Sequence, residues 1–126
     1  MQTPTERELE ILKILWLRRE ATVREVYEEM RQQSTIVQNT VQAFLRTMEQ
    51  KGLVDHRLEG RAFVYRPRMR REQTVRRLAG RLLDGVFDGA IDQLVDCLFT
   101  HHRPSEDEFA RLEQLISEAR QAQAEG

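Results

Sequence analysis

The sequence predicts a mostly α-helical chain interrupted once by a small β-hairpin, with three helices before the hairpin and three after it. Three observations carry this expectation. Capping boxes recur at helix starts, as Thr5-Glu6-Arg7-Glu8, Thr22-Val23-Arg24-Glu25 and Ser105-Glu106-Asp107-Glu108. Apolar residues return at helical spacing through most of the chain. Only between Leu53 and Arg66 does the pattern change, around the turn sequence Glu59-Gly60-Arg61.

The first helix opens at the Thr5 box and runs to about Arg18, burying Leu9, Leu12, Leu15 and Trp16, with Ile11 on the flank. The second opens at Thr22 and places Val23, Val26, Tyr27 and Met30 on one stripe. A polar joint, Gln32 to Thr35, leads to a third helix over about Val37–Gln50. Lys51 stands in its last turn and Gly52 supplies the left-handed stop. At 100° per residue, Val41, Phe44, Leu45 and Met48 share one face of this helix. Asn39, Gln42, Ala43, Arg46 and Gln50 share the other, which holds no acidic residue, and Glu49 lies to its side. Leu53–Leu58 and Ala62–Arg66 form the hairpin, with Phe63 and Tyr65 on one face, and Pro67 ends it. Helices then follow over Arg70–Leu83 and Ala90–Thr100. The last opens at Ser105 and buries Phe109, Leu112, Leu115 and Ile116, and Gln121–Gly126 is expected to fray.

Composition narrows the function. With 126 residues the chain has room for one small domain and an appendage, and too little for two enzyme-sized cores. The single cysteine, Cys97, excludes an internal disulfide framework and a four-thiolate metal centre. No apolar run approaches a membrane span, and the charged start lacks a signal-peptide core, so a cytoplasmic protein without membrane insertion is expected. The net charge of −1 conceals a division. Residues 1–77 carry 16 basic and 11 acidic side chains, whereas residues 78–126 carry 4 and 10. A polyanion binder is therefore expected first, with a different task after it.

Three helices and a hairpin, with a polar and cationic outer face on the third helix, make the layout of a winged helix-turn-helix. Its third helix can enter a major groove. Asn39 and Gln42 suit adenine edges, Arg46 suits guanine or phosphate, and the Thr40 and Ala43 methyls suit a thymine methyl. The hairpin arginines, Arg57, Arg61 and Arg66, can hold the flanking phosphates, which fixes register without reading sequence. The runner-up is a protein-interaction module whose basic residues are ordinary surface.

The second half argues separately for self-association. Three short helices, each with one apolar stripe, have little core unless a partner chain completes it. Val75, Leu78, Leu82, Phe87, Ile91, Leu94, Val95, Leu98 and Phe99 are too many apolar residues for a short appendage to expose, and Phe109, Leu112 and Ile116 join them. The expected organisation is a DNA-binding domain over residues 1–68 and a dimerisation domain over residues 69–126.

The ordered segments Glu8-Leu9-Glu10-Ile11-Leu12-Lys13-Ile14-Leu15-Trp16, Ala21-Thr22-Val23-Arg24-Glu25-Val26, Thr40-Val41 with Lys51-Gly52-Leu53-Val54, and Gly60-Arg61-Ala62-Phe63-Val64-Tyr65 resemble the penicillinase-repressor (BlaI/MecI/CopY) family. Leu83-Asp84-Gly85-Val86-Phe87-Asp88-Gly89 and the Leu94-Val95 helix extend the resemblance across about residues 5–118. It implies a homodimeric winged-helix repressor on a palindromic double-stranded operator, with Asn39, Thr40, Gln42 and Arg46 on the recognition helix. It also implies release when a membrane sensor protease cuts the dimerisation region, at a bond that aligns with Cys97–Leu98. The chain departs from the family at Ile36-Val37, where Trp and a small polar cap are usual, and at Thr47, where Arg is usual. The copper-responsive branch carries a C-terminal cysteine cluster absent here. Cys97, His101 and His102 are therefore read as solvated, and no metal or cofactor is expected. No nucleophile elbow, zinc-protease helix motif or phosphate-cradling glycine spacing is present, which argues against an enzyme.

Overall fold

Residues 2–126 are described by a computed structural model in which the elements follow the order α1 (Glu6–Arg18), β1 (Ala21–Thr22), α2 (Val23–Met30), α3 (Gln38–Gln50), β2 (Val54–Glu59), β3 (Ala62–Pro67), α4 (Arg71–Gly85), α5 (Ile91–His101) and α6 (Glu106–Glu125). The helix starts obey local chemistry. At all three capping boxes the Thr5, Thr22 or Ser105 hydroxyl accepts from the N3 amide while the N3 glutamate accepts from the cap amide. The stop of α3 is equally local. With Gly52 at φ 82°, its N–H donates to Glu49 O at 3.0 Å and the Leu53 N–H donates to Met48 O at 2.9 Å, a Schellman closure. Leu53 then drops into the core as the chain enters β2.

The three strands form an antiparallel sheet of order β1-β3-β2. The hairpin loop is Gly60-Arg61, and only Gly60 takes a positive φ, as in a type II′ turn with glycine at the first loop position. β1 is absent from the sequence expectation. Two residues carry no periodicity of their own, and Ala21 and Thr22 are extended because they pair with Tyr65 and Val64.

The core joins α1, α2, α3 and the inner face of the sheet through Ile11, Leu12, Leu15, Val26, Val41, Leu45, Met48, Val54 and Tyr65. Three expectations are corrected here. Ile11 is fully buried rather than flanking, while Leu9 and Trp16 are only half-buried, because α2 and α3 pack on a stripe rotated by part of a turn. Phe63 and Tyr65 share a face, yet Tyr65 lies in the core and Phe63 is exposed, because the hairpin projects beyond the helices toward its tip. The expected fraying after Gln121 does not occur. Gln121, Ala122, Gln123, Ala124 and Glu125 are good helix formers without a breaker, and α6 continues to Glu125.

Two core-edge contacts were not visible in the sequence. The Trp16 indole N–H donates to Met69 O at 2.9 Å and ties the exit of β3 to α1. Glu8 is 2% exposed, and Lys51 Nζ, at the C-terminus of α3, donates to it at 2.7 Å.

The chain divides into two compact units, Met1–Gly80 and Arg81–Gly126. The first owns the core just described. In the second no residue is buried, and its apolar side chains line open faces.

Candidate nucleic-acid interface

The site grows from the two faces of α3. Val41, Leu45 and Met48 are fully buried, which fixes the rotation of the helix and turns the opposite side to solvent. Asn39, Thr40, Ala43 and Arg46 are exposed there, and Gln42 is half-buried. The N-cap, Val37, has no side-chain oxygen, so the first-turn amides of α3 are left without a side-chain cap.

Between the start of α3, the start of α2 and the hairpin tip runs an open cleft of about 310 Å³. Gln38 and Gln42 line it from α3, Arg24 from α2, and Arg61 and Phe63 from the hairpin. The structure therefore brings Gln42 and Arg61 to one cleft and adds Gln38 and Arg24, which sequence reasoning missed. Arg24 was detectable in principle, since the Thr22 box makes it the second residue of α2.

The three hairpin arginines have different surroundings. The register pairs Asp55 with Arg66 and Arg57 with Val64, so Asp55, Arg57, Glu59 and Arg66 share the face of the sheet opposite Val54 and Tyr65. On that face Arg57 donates to Glu20 at 2.9 Å and to Glu59 at 2.8 Å, and Arg66 donates to Asp55 at 2.6 Å. The hydrogen bond from Arg57 holds the Glu20 carboxyl below its ordinary range, so the pair is ionised at neutral pH. These pairs are exposed and contribute little to stability. Arg61 occupies the hairpin loop. Among the described residues, neither Arg61 nor Arg46 has an ion-pair partner.

At the base of the hairpin, His56 joins β2 to α3. Its Nδ1 lies 2.6 Å from Glu49 Oε1, and its ring packs 4.6 Å from Phe63 and 5.4 Å from Tyr65. Burial pushes the Tyr65 phenol upward, the Glu49 charge adds to that, and Arg46 opposes it.

In the second unit, Leu82, Ile91, Leu98, Phe99, Phe109 and Ile116 are exposed, and Phe87, Leu94, Val95 and Leu112 are half-buried. Phe99 and Phe109 meet edge to face at 6.1 Å. Leu98, Phe99 and Leu112 line an apolar groove of about 390 Å³. In the first unit, on α4, Val75 is exposed and Leu78 half-buried. Cys97 and Leu98 sit within α5, both exposed. Among the described residues, no three His, Cys, Asp or Glu side chains converge as metal donors, and no helix is long and apolar enough to cross a membrane.

Residues 4–118 match the penicillinase repressor family. The chain is 27% identical over 114 residues to the penicillinase repressor of Bacillus licheniformis, across 90% of this chain and 89% of that one. It is 20% identical over 110 residues to the methicillin resistance regulatory protein MecI of Staphylococcus aureus (strain N315), across 87% and 89%. Among solved structures, the DNA binding domain of the repressor BlaI superposes with a TM-score of 0.50 at 34% identity, over 54% of this chain and 83% of that one. The hsRosR-S4 complex structure gives a TM-score of 0.52 at 18% identity over 96% and 93%, a likeness of fold alone.

Proposed function

The chain belongs to the penicillinase repressor family, and from that premise we propose that it acts as a homodimer on a palindromic promoter operator. Within the family it is a winged-helix, DNA-binding transcriptional repressor and not an enzyme. The observation that carries the operator reading is the outer face of α3, where Asn39, Thr40, Gln42, Ala43 and Arg46 form a surface free of carboxylates, backed by a fully buried core face. That face has the size and donor–acceptor character to read base edges in a major groove. Arg61 supplies a phosphate contact without giving up an ion pair, whereas Arg57 and Arg66 do so from within a carboxylate network.

Dimerisation is supported by the second unit, whose apolar residues have no core of their own. Burying each exposed large side chain against a partner contributes up to about 1.5–3 kcal/mol. A two-fold dimer sets two inverted half-sites about one helical turn of DNA apart, or a multiple of that. Relief of repression follows from cutting Cys97–Leu98 by a partner protease. That bond lies in a helix, so cleavage requires α5 to open locally.

Selection of bound duplexes from a random library, followed by titration at several salt concentrations, tests the reading. A selected inverted repeat bound with a steep salt dependence supports it, and recovery of no duplex overturns it. On the selected site, Arg46→Ala is expected to weaken binding by about 1–3 kcal/mol and to relax preference at one base position. A loss spread evenly over all sequences assigns Arg46 to phosphate, and an unchanged affinity removes it from the interface.

The hairpin gives a second expectation. Arg61→Ala lowers affinity nearly evenly across sequences and reduces the salt slope by about 1. Arg57→Ala changes the slope less, because part of the Arg57 charge is already balanced by Glu20 and Glu59. Equal slopes for the two variants show that the ion pairs open on DNA.

A further inference from the structure

The helix proposed to read DNA, α3, carries one acidic residue, Glu49. Glu49 follows Arg46 by three residues on α3, a spacing at which an arginine and a glutamate on a helix ordinarily meet. Here they do not pair. The Glu49 carboxylate is held by His56 of β2 at 2.6 Å, and Arg46 has no carboxylate partner among the described residues. The His56 ring is fixed by packing against Phe63 and Tyr65, so its nitrogen is presented to Glu49 by the body of the hairpin.

Resting on the operator reading above, we propose that His56 is a positioning residue for DNA recognition: by holding Glu49 against the hairpin, it keeps that carboxylate off Arg46 and leaves the guanidinium free for the operator. The reasoning is electrostatic. An unrestrained Glu49 offers Arg46 an i,i+3 partner, and an arginine must give up that partner before it can fork onto a guanine edge or a phosphate. It also sets a carboxylate charge loose beside a polyanion. The latch removes both costs in advance, and it couples the orientation of the hairpin to the residue that reads the groove.

The probe is the duplex recovered by the wild-type chain from a random library, so a chain that selects no duplex fails the operator reading and never reaches this test. On that duplex, His56→Ala is expected to bind about tenfold more weakly, in the lower part of the range for losing one bidentate arginine–base contact. His56→Phe, which keeps a ring against Phe63 and Tyr65 but cannot hold a carboxylate, is expected to lose the same amount. The deciding variants are His56→Ala/Glu49→Gln and His56→Phe/Glu49→Gln. Each is expected to recover to within about threefold of wild type, since the competing charge is gone. Thermal melts of all variants monitor folding. Full affinity in His56→Phe reduces His56 to a packing residue and overturns the proposal. So does failure of Glu49→Gln to rescue either variant while its melt matches wild type. If His56→Ala melts early, the His56→Phe pair decides alone.

Discussion

A chain ending at Cys97 is expected to fold its first unit, sediment as a monomer, and bind a full palindrome little better than a half-site. The cut removes the end of α5 and all of α6, and with them Leu98, Phe99, Phe109, Leu112 and Ile116. It leaves the α1–α3 and sheet core intact, because every residue of that core lies at or before Tyr65. A dimer holds its second recognition helix beside the second half-site at an effective concentration of order millimolar, which raises affinity ~10²–10⁴-fold without a new contact. Losing the partner loses that factor and little else. Sedimentation, with half-site and full-site titrations of intact and truncated chains, measures each part. A truncated chain that remains dimeric with full operator affinity overturns both the dimer assignment and release by cleavage.

The second large effect is on stability. Lys51→Met is expected to cost about 3 kcal/mol at pH 7, the lower end for breaking a buried ion pair, because Lys51 retains some exposure and water reaches the site. The variant leaves Glu8, 2% exposed, without its cation. Burial alone raises the Glu8 pKa. The Lys51 hydrogen bond, the Thr5 backbone donor and the Lys51 charge together outweigh it, so the folded value lies below the usual carboxylate range. A depressed folded pKa favours the ionised native state. Its contribution is complete above the unfolded carboxylate pKa and is lost as pH falls through the folded one. In Lys51→Met the burial cost remains while the lysine is gone, so protonation relieves the variant more than wild type. The gap between the two melting temperatures is therefore expected to be widest near neutrality and to narrow toward pH 4. A gap that is constant from pH 7 to 4 shows that Lys51 stabilises through its packed methylenes rather than its charge.

Much of the fold was legible because it is written in short-range chemistry. The three capping boxes, the Gly52 stop and the Gly60 turn each involve residues no more than five apart, and each forms where its residue types predict. The two faces of α3 follow from the 3.6-residue period, so its exposed polar face from Asn39 to Arg46 could be told from its buried one before its geometry was known. The sign change between the halves likewise sits in the sequence itself.

The tertiary structure decided what happens between residues far apart in the chain. Ala21 and Thr22 have no strand pattern until β3 pairs with them. Glu8 reads as a helix cap, and only the fold carries Lys51 across 43 residues to meet it. Arg57 and Arg61 are four residues apart and alike in sequence. The sheet gives the first to Glu20 and leaves the second at an open turn. Glu49 reads as a bystander beside the polar outer face of α3 until His56 takes hold of it. Local sequence fixes backbone conformation because those forces act within a turn or two. Which charges are spent inside the protein and which remain for DNA depends on contacts that exist only once the chain has closed.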